Sequence, residues 1–478
     1  MNRSTALLDW AFSQPRKDCI VTDRERYTYS DVRDGVIAAA SALADRVRPG
    51  TRVGLFLDST PNFVLYEYAA FYLGAVVTPI NRAMKQDEAR RLVERLDIAV
   101  VVCDAPLDLG ADVVTHQVAG EFDVPDVSAL VRPAQLDIDD AALLLQTSGS
   151  TGEPKGVLLA QRNLVANYDA TYRWIGVGKE DVILLALPIF NTYALNQGIN
   201  MLAMSGATMR LLRRFTPEGM AVALETSKAS FLPLVPTMLT RLRQAEVRYD
   251  HPLKVGIGAA PSPTKIATDA WTVFPQAHLY FGYGLTEATA IASLNHIGTP
   301  GDHHEDFVST GPVVSGIDVR IDEPTGPDRR GEILIKGDAV FREYVGTDEP
   351  RPVRNGWLHT GDIGFFDDDR LVIVDRIREL IIRGGQNIYP GEVERVLTEH
   401  PGVLEAAVVA RPDEDFGELP VAFVVPRRGC SPSPMELREW VAERLAAFKV
   451  PVWFEVQDDL PRTATGKIQK RQLRARVN

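Results

Sequence analysis

The chain is poor in cysteine. Among its 478 residues there are three, Cys19, Cys103 and Cys430. The number is odd and the spacing fits no metal, so neither a disulfide framework nor a zinc site is expected. This suits a reducing compartment. An excess of basic residues is also missing. The formal net charge of −12 argues against nucleic acid or an anionic membrane as the main partner. No apolar run approaches the roughly 18 residues of a membrane span, and residues 1–9 lack the long apolar core of a signal peptide. A cytoplasmic protein is expected. Internal repeats and low-complexity tracts are absent. What is present is 45% hydrophobic and 24% charged, the balance of a soluble globular protein. Its length calls for at least two domains, burying about 75% of the surface the unfolded chain exposes.

Strand-like and helix-like patterns alternate over the first 260 residues. Residues 52–57, 75–79 and 98–103 read as strands, and 61–73 and 88–96 as helices. Further strands are expected at 182–187, 207–211, 229–232 and 255–257. Such alternation predicts a parallel α/β sheet. From about residue 308 the pattern changes to short strands and turns (319–321, 331–335), as in a small β subdomain. The last hundred residues read as a separate α+β unit. Its strands are expected at 371–375, 379–382, 404–410 and 421–426, and its helices at 390–400 and 434–447. Ser433, Pro434 and Glu436 form a capping box at the second helix. The boundary is placed at 375–379. The fold expected is therefore an α/β large N-terminal domain with parallel sheets and a small β subdomain (1–375), followed by a small α+β C-terminal domain (376–478).

Residues 145–156 carry the clearest chemistry. After the apolar run 141–145 come Thr147, Ser148, Gly149, Ser150, Thr151 and Gly152, and then Lys155. Glycines let backbone N–H groups turn toward an anion, hydroxyls add donors, and Lys155 adds positive charge. This is chemistry for holding a polyphosphate. It is not the GxxxxGK[ST] loop, because Gly156 follows Lys155.

Five further segments occur in order: Phe281-Gly282-Tyr283-Gly284-Leu285-Thr286-Glu287, Gly356-Trp357-Leu358-His359-Thr360-Gly361-Asp362, Asp375-Arg376-Ile377-Arg378-Glu379, Arg383-Gly384-Gly385-Gln386-Asn387-Ile388-Tyr389-Pro390, and Pro461-Arg462-Thr463-Ala464-Thr465-Gly466-Lys467-Ile468. With the loop at 145–156 they resemble the motifs of the adenylate-forming superfamily, which includes acyl-CoA synthetases, aryl-acid ligases, adenylation domains and luciferases. The likeness spans nearly the whole chain and is strongest to the acyl-CoA synthetases.

The resemblance implies an AMP-forming acid–thiol ligase that uses ATP, Mg²⁺ and CoA. A small carboxylic acid attacks the α-phosphate of ATP, pyrophosphate leaves, and a thiol then takes the acyl group. It implies that the C-terminal domain is mobile and that Lys467 is the cation between acid and α-phosphate. Thr286 would donate to that phosphate and Glu287 would bind Mg²⁺. Thr147, Ser148, Gly149, Ser150, Thr151, Gly152 and Lys155 would cradle the phosphates. Tyr283 and Gly284 would lie at adenine, although Tyr283 reads equally as a core tyrosine. Asp362 would accept from the ribose hydroxyls. Arg376 would assist at ribose or phosphate, or form an interdomain salt bridge. Arg378 stands at the hinge, where the family usually carries Asp or Lys. Gly384 and Gly385 would admit a pantetheine arm. Lys449 is either a phosphate or CoA contact or a surface lysine.

The acid would be lined by Asn191, Thr192, Tyr193, Val235, Gly258, Ala259 and Ala260. Asn191 stands where acyl-CoA synthetases usually carry His and amino-acid-activating relatives Asp. It cannot pair with an ammonium, which counts against an α-amino acid. It reads either a hydroxyl or carbonyl of the acid or a neighbouring backbone group. Two rivals share these residues: transfer to the phosphopantetheine of an acyl carrier protein, with an aryl, hydroxy or β-amino acid among the candidates, and a non-catalytic nucleotide-binding protein. The run His303-His304-Glu305-Asp306 reads as a polar turn rather than a metal site.

Overall fold

Short β-branched runs punctuated by helices build two sheets in the larger part of the molecule. The computed structural model describes residues 3–110, 112–127, 129–148, 154–258, 263–300, 302, 309–325, 329–462 and 468–477. The chain divides into two compact units. The first comprises 1–260, 264–319 and 335–358, and the second 261–263, 320–334 and 359–478. The division falls within the strands Ile317–Thr325, Arg330–Gly337 and Trp357–Asp367, the short strands expected from residue 308 onward.

In the first unit an eight-stranded sheet has the order Ser293–Gly298, Ala277–Tyr283, Leu253–Gly258, Phe231–Leu234, Val182–Leu185, Thr208–Leu211, Asp18–Val21, Arg26–Thr28. A seven-stranded sheet has the order Glu343–Val345, Pro154–Ala160, Ala141–Ser148, Val76–Pro79, Arg52–Phe56, Val100–Cys103, Val114–Gln117. The expectation of parallel sheets needs correction, because both are mixed. Their interiors are parallel, but Ser293–Gly298 and Arg26–Thr28 pair antiparallel at the edges of the first. In the second sheet, Pro154–Ala160 is antiparallel to both its neighbours. Only four residues separate Asp18–Val21 from Arg26–Thr28, too few for the crossover that a parallel pair needs. Helix Pro61–Tyr72 is buried at every position, as a helix without a polar face must be.

In the second unit the segment 359–367 pairs antiparallel with Arg370–Arg376. A further sheet runs Gln386–Ile388, Ile381–Arg383, Gly417–Pro426, Val403–Asp413, with Trp453–Val456 also paired to Gly417–Pro426. Alternate residues of Val403–Asp413 enter two different cores. Ala406, Val408 and Ala410 pack with Val393, Leu397, Leu437 and Val441, whereas Ala407 and Val409 pack with Phe423, Leu460 and Leu473. Helices Pro390–Glu399 and Pro434–Ala442 thus cover one face and Lys470–Val477 the other, the period-two logic of a strand buried on both sides. The Ser433 capping box is present. Its helix is shorter than 434–447, because the last turn tightens, with Arg444 N donating to Val441 O at 3.1 Å, and Ala446 turns extended. The strand expected at 379–382 begins instead at Ile381, since Ile377–Glu379 is a 3₁₀ turn.

Candidate active site

The Ser/Gly/Thr segment joins two strands. Ala141–Ser148 and Pro154–Ala160 pair antiparallel, with Thr147 opposite Lys155 and Ser148 opposite Pro154. The second of these strands is not apparent in the sequence, where Pro154 and Gly156 look like loop. Gly156 answers to packing: a Cβ there would lie 2.6 Å from Leu144 Cδ1. Gly149, Ser150, Thr151 and Gly152 lie outside the described residues. The Thr147 hydroxyl is buried with no hydrogen-bond partner among the described residues, a costly condition that a phosphate oxygen would relieve.

Lys155 is fixed by residues that sequence reading missed. Strand Glu343–Val345 adds to the hairpin with Tyr344 opposite Val157. Lys155 Nζ then lies 2.6 Å from Glu349 Oε2 and 3.6 Å from the centre of the Tyr344 ring, a cation–π arrangement. The Tyr344 hydroxyl donates to Glu287 Oε1 at 2.9 Å. Burial, and then the charge of Glu287, hold the Tyr344 phenol well above its ordinary value, so it remains a donor. The other oxygen of Glu287 makes no hydrogen bond among the described residues. A carboxylate with one oxygen oriented and one open is a suitable ligand for a hard divalent cation.

The turn bearing Glu287 is tightly constrained. Thr286–Ala288 is a single 3₁₀ turn, followed by Thr289 at φ 55° and Ala290 at φ 94°. Both are left-handed conformations that strain a non-glycine residue. They are held by Thr289 Oγ1 donating to Ala339 O at 2.6 Å and by Phe341 N donating to Glu287 O at 2.8 Å. Gly284 is required by the same fold-back, since a Cβ there would fall 1.4 Å from Ala290 O. Tyr283 ends the preceding strand, half-buried. The Thr286 hydroxyl meets that of Thr192 at 3.0 Å. A residue expected at the acid and one expected at phosphate are therefore side by side.

Asn191 caps the helical stretch that begins at Thr192, its Oδ1 accepting from Ala194 N at 3.2 Å. Of its two readings, the backbone contact is the one present. The stretch continues as a π-helix, Leu195–Asn200, a rare form that often marks functional sites. The Tyr193 ring lies over two glycines: a Cβ at Gly258 would be 3.2 Å from its Cζ, and one at Gly256 3.0 Å from its hydroxyl. Burial raises the Tyr193 phenol. Val235 is half-buried immediately before helix Pro236–Gln244. Ala259 and Ala260 lie outside the described residues.

In the second unit, Asp362 is directly opposite Arg376 in register, buried, with Oδ1 3.2 Å from Arg376 Nε. The ion pair of Arg376 joins two residues of this unit. Asp322, Glu332 and His359 gather within 4.8 Å, but both Glu332 oxygens are in use. One meets His359 Nδ1 at 2.8 Å and the other accepts from Gly361 N at 2.9 Å, which fixes the turn leading to Asp362. Arg378 lies exposed in the 3₁₀ turn Ile377–Glu379. Gly384 (φ 55°) and Gly385 (φ 80°) form the two-residue turn that closes Arg383 onto Gln386, and such a hairpin needs two left-handed residues. Lys449 is committed to Glu392 at 2.7 Å. Lys467 lies outside the described residues, as do His303, His304, Glu305 and Asp306.

A family model for "AMP-binding enzyme" matches residues 7–345, and one for the "AMP-binding enzyme C-terminal domain" matches 392–467. The chain belongs to the AMP-binding, adenylate-forming family. It is 33% identical over 474 residues to a feruloyl-CoA synthase of Amycolatopsis sp, covering 94% of each chain. It is 30% identical over 505 residues to 4-coumarate–CoA ligase 2 of Nicotiana tabacum, covering 96% of this chain and 92% of the relative. Among solved structures, the o-succinylbenzoate CoA synthetase (MenE) of Bacillus subtilis with the acyl-adenylate OSB-AMP superposes at a TM-score of 0.86, with 27% identity, over 98% of this chain and 97% of the other. The same enzyme has been solved with ATP and magnesium ion.

Proposed function

We infer that the protein is an ATP- and Mg²⁺-dependent acid–thiol ligase. It converts a small carboxylic acid to an acyl-adenylate and passes the acyl group to CoA. The observation that carries this reading is the linked set Lys155, Tyr344, Glu287, Thr286 and Thr192, with the unpartnered Thr147 hydroxyl on the strand paired with Lys155. A carboxylate must attack phosphorus while negative charge builds on the leaving pyrophosphate, so preorganised cations and donors lower the barrier. Thr147, Thr286 and Lys155 supply donors and charge to the phosphates. Glu287 would hold Mg²⁺, which neutralises charge on the leaving group.

Lys467 supplies the cation at the attacking acid, with Asp362 and Arg376 at the ribose and Tyr283 at adenine. Thr192, Tyr193, Val235 and Gly258 line the acid. The half-buried Tyr193 ring beside Gly256 and Gly258, together with the absence of an ammonium partner at Asn191, favours a carboxylate whose remainder is uncharged and aromatic, of the kind named in the relatives, coumarate or ferulate. The tail module 376–478 pivots at Arg378 between the two steps. The side-chain-free tip at Gly384 and Gly385 leaves a pantetheine arm unobstructed. No described helix is long and apolar enough to cross a membrane.

The test is pyrophosphate release and mass-spectrometric detection of acyl-AMP across aliphatic, aryl, hydroxy and β-amino acids, with and without CoA. Acyl-AMP from an aryl acid, discharged to acyl-CoA when CoA is added, is the expected result. Failure to form acyl-AMP from any acid would overturn the function. Discharge only by a phosphopantetheine-bearing carrier protein would overturn the acceptor.

A further inference from the structure

Lys470, three residues beyond Lys467, lies half-buried among carboxylates that the reaction does not use. Its Nζ lies 2.9 Å from Glu379 Oε2 and 2.8 Å from Glu394 Oε1. Glu394 Oε1 also accepts from Val408 N at 2.7 Å. Asp375 lies close enough to act on Lys470 by charge, and is itself bound by Gly391 N at 2.7 Å. Burial works against the Lys470 charge, but Glu394, Glu379 and Asp375 together hold its pKa above the ordinary value. With 19% of its side chain exposed, the ammonium is largely withdrawn from water and depends on these partners to keep its charge.

The elements joined by this ammonium matter more than its energy. Glu379 belongs to the 3₁₀ turn Ile377–Glu379 that contains Arg378, and Glu394 to helix Pro390–Glu399. Lys470 begins the helix Lys470–Val477. One helical turn later, on the same face, Arg474 Nη2 donates to Arg378 O at 3.3 Å. Immediately before Lys470 the chain is pinned at both sides of residues 463–467. Arg462 and Ile468 form a β-bridge, Gln469 N donates to Pro461 O at 2.7 Å, and Gln469 Nε2 donates to Arg462 O at 2.7 Å.

We propose that Lys470 is a positioning residue, locking the base of the Lys467 segment and the turn at Arg378 into one rigid body. The inference rests on the assignment of Lys467 as the adenylation cation. Its logic is geometric: Lys467 must reach one point between acid and phosphate, and a displacement of 1 Å can cost about 10²-fold in rate. The hydrophobic seat of Leu473 holds the helix on the sheet. It does not tie the helix to the turn, which only Lys470 and Arg474 are seen to do among the described residues.

Removing Lys470 alone leaves two half-buried carboxylates without their cation, so the informative variant is the neutral set Lys470→Met, Glu379→Gln and Glu394→Gln. If that set does not fold, Glu379→Gln, which keeps the Lys470–Glu394 pair, replaces it. Lys470→Arg serves as the conservative rescue. ATP–pyrophosphate exchange reads adenylation, and CoA transfer from presynthesised acyl-AMP reads the second step. In the folded neutral variant, adenylation kcat is expected to fall about tenfold or more while thiol transfer stays within about twofold. Glu379→Gln shows the same split at about threefold, and Lys470→Arg restores adenylation. Adenylation unchanged in the folded variant, or both steps falling alike, overturns the proposal. Lys467→Ala runs in parallel. If it does not lose adenylation selectively, the role of Lys467 falls and this inference with it. If it does and the Lys470 variants are unchanged, the inference alone fails.

Discussion

Removing one hydroxyl, in Tyr344→Phe, isolates what orients Glu287, the proposed magnesium ligand. The substitution keeps the ring beneath Lys155 Nζ, 3.6 Å from its centre, and deletes only the 2.9 Å hydrogen bond to Glu287 Oε1. A hydrogen bond to a charged group contributes about 1.5–3 kcal/mol, and loss of a partner that orients a ligand commonly weakens metal binding by about 10–100-fold. The concentration of Mg²⁺ giving half-maximal pyrophosphate release should therefore rise about tenfold or more, at saturating ATP and acid. The rate should recover at high Mg²⁺, because Glu287 itself is retained. A Mg²⁺ titration of the purified variant beside wild type reads both quantities. An unchanged half-saturation point would refute the reasoning, since it would mean that Glu287 is oriented without Tyr344. A lowered plateau with an unchanged midpoint would refute it as well.

Gly284→Ala places a Cβ 1.4 Å from Ala290 O. No side-chain movement relieves a backbone clash, so a cost of about 3 kcal/mol is expected, seen as a lower urea midpoint together with loss of adenylation. Asn191→Ala removes a helix cap and should cost about 1 kcal/mol while relative kcat/KM values across an acid panel stay fixed. A changed order of acids would restore Asn191 as a reader of substrate. His116 is held below its ordinary value of 6.5 by burial first and by Arg46 second, with its Nε2 3.0 Å from the Tyr66 hydroxyl. A group depressed on folding contributes stability that is full above pH 6.5 and lost as pH falls through the folded value. Thermal midpoints should therefore decline from pH 6.5 downward, and His116→Gln should flatten that decline. Equal slopes in the two proteins would show that other groups govern it.

Much of the fold was legible because its signals are local. Apolar runs such as 53–56 and 100–103 and the largely apolar helix Pro61–Tyr72 follow from local composition. The Ser433–Glu436 capping box follows from four adjacent residues. Where local signals misled, a long-range partner intervened. Pro154 and Gly156 look like loop, yet pairing with both Ala141–Ser148 and Glu343–Val345 makes a strand of them. Gly384 and Gly385 suggested room for a ligand, and the hairpin requires left-handed residues there in any case.

The reaction class was legible in the sequence, because six contiguous motifs occur in the order in which the adenylate-forming enzymes carry them. Tertiary structure alone decided how those residues are tuned. Tyr344 and Glu349 are remote from Lys155 in sequence and reach it only through strand pairing. Lys470, Glu379 and Glu394 look like three ordinary surface charges until the fold brings the ammonium within 2.9 Å of both carboxylates and leaves each group only partly exposed. The physical reason is the same in both cases: a side chain's identity is local, whereas its dielectric surroundings and its partners are set by segments far away along the chain.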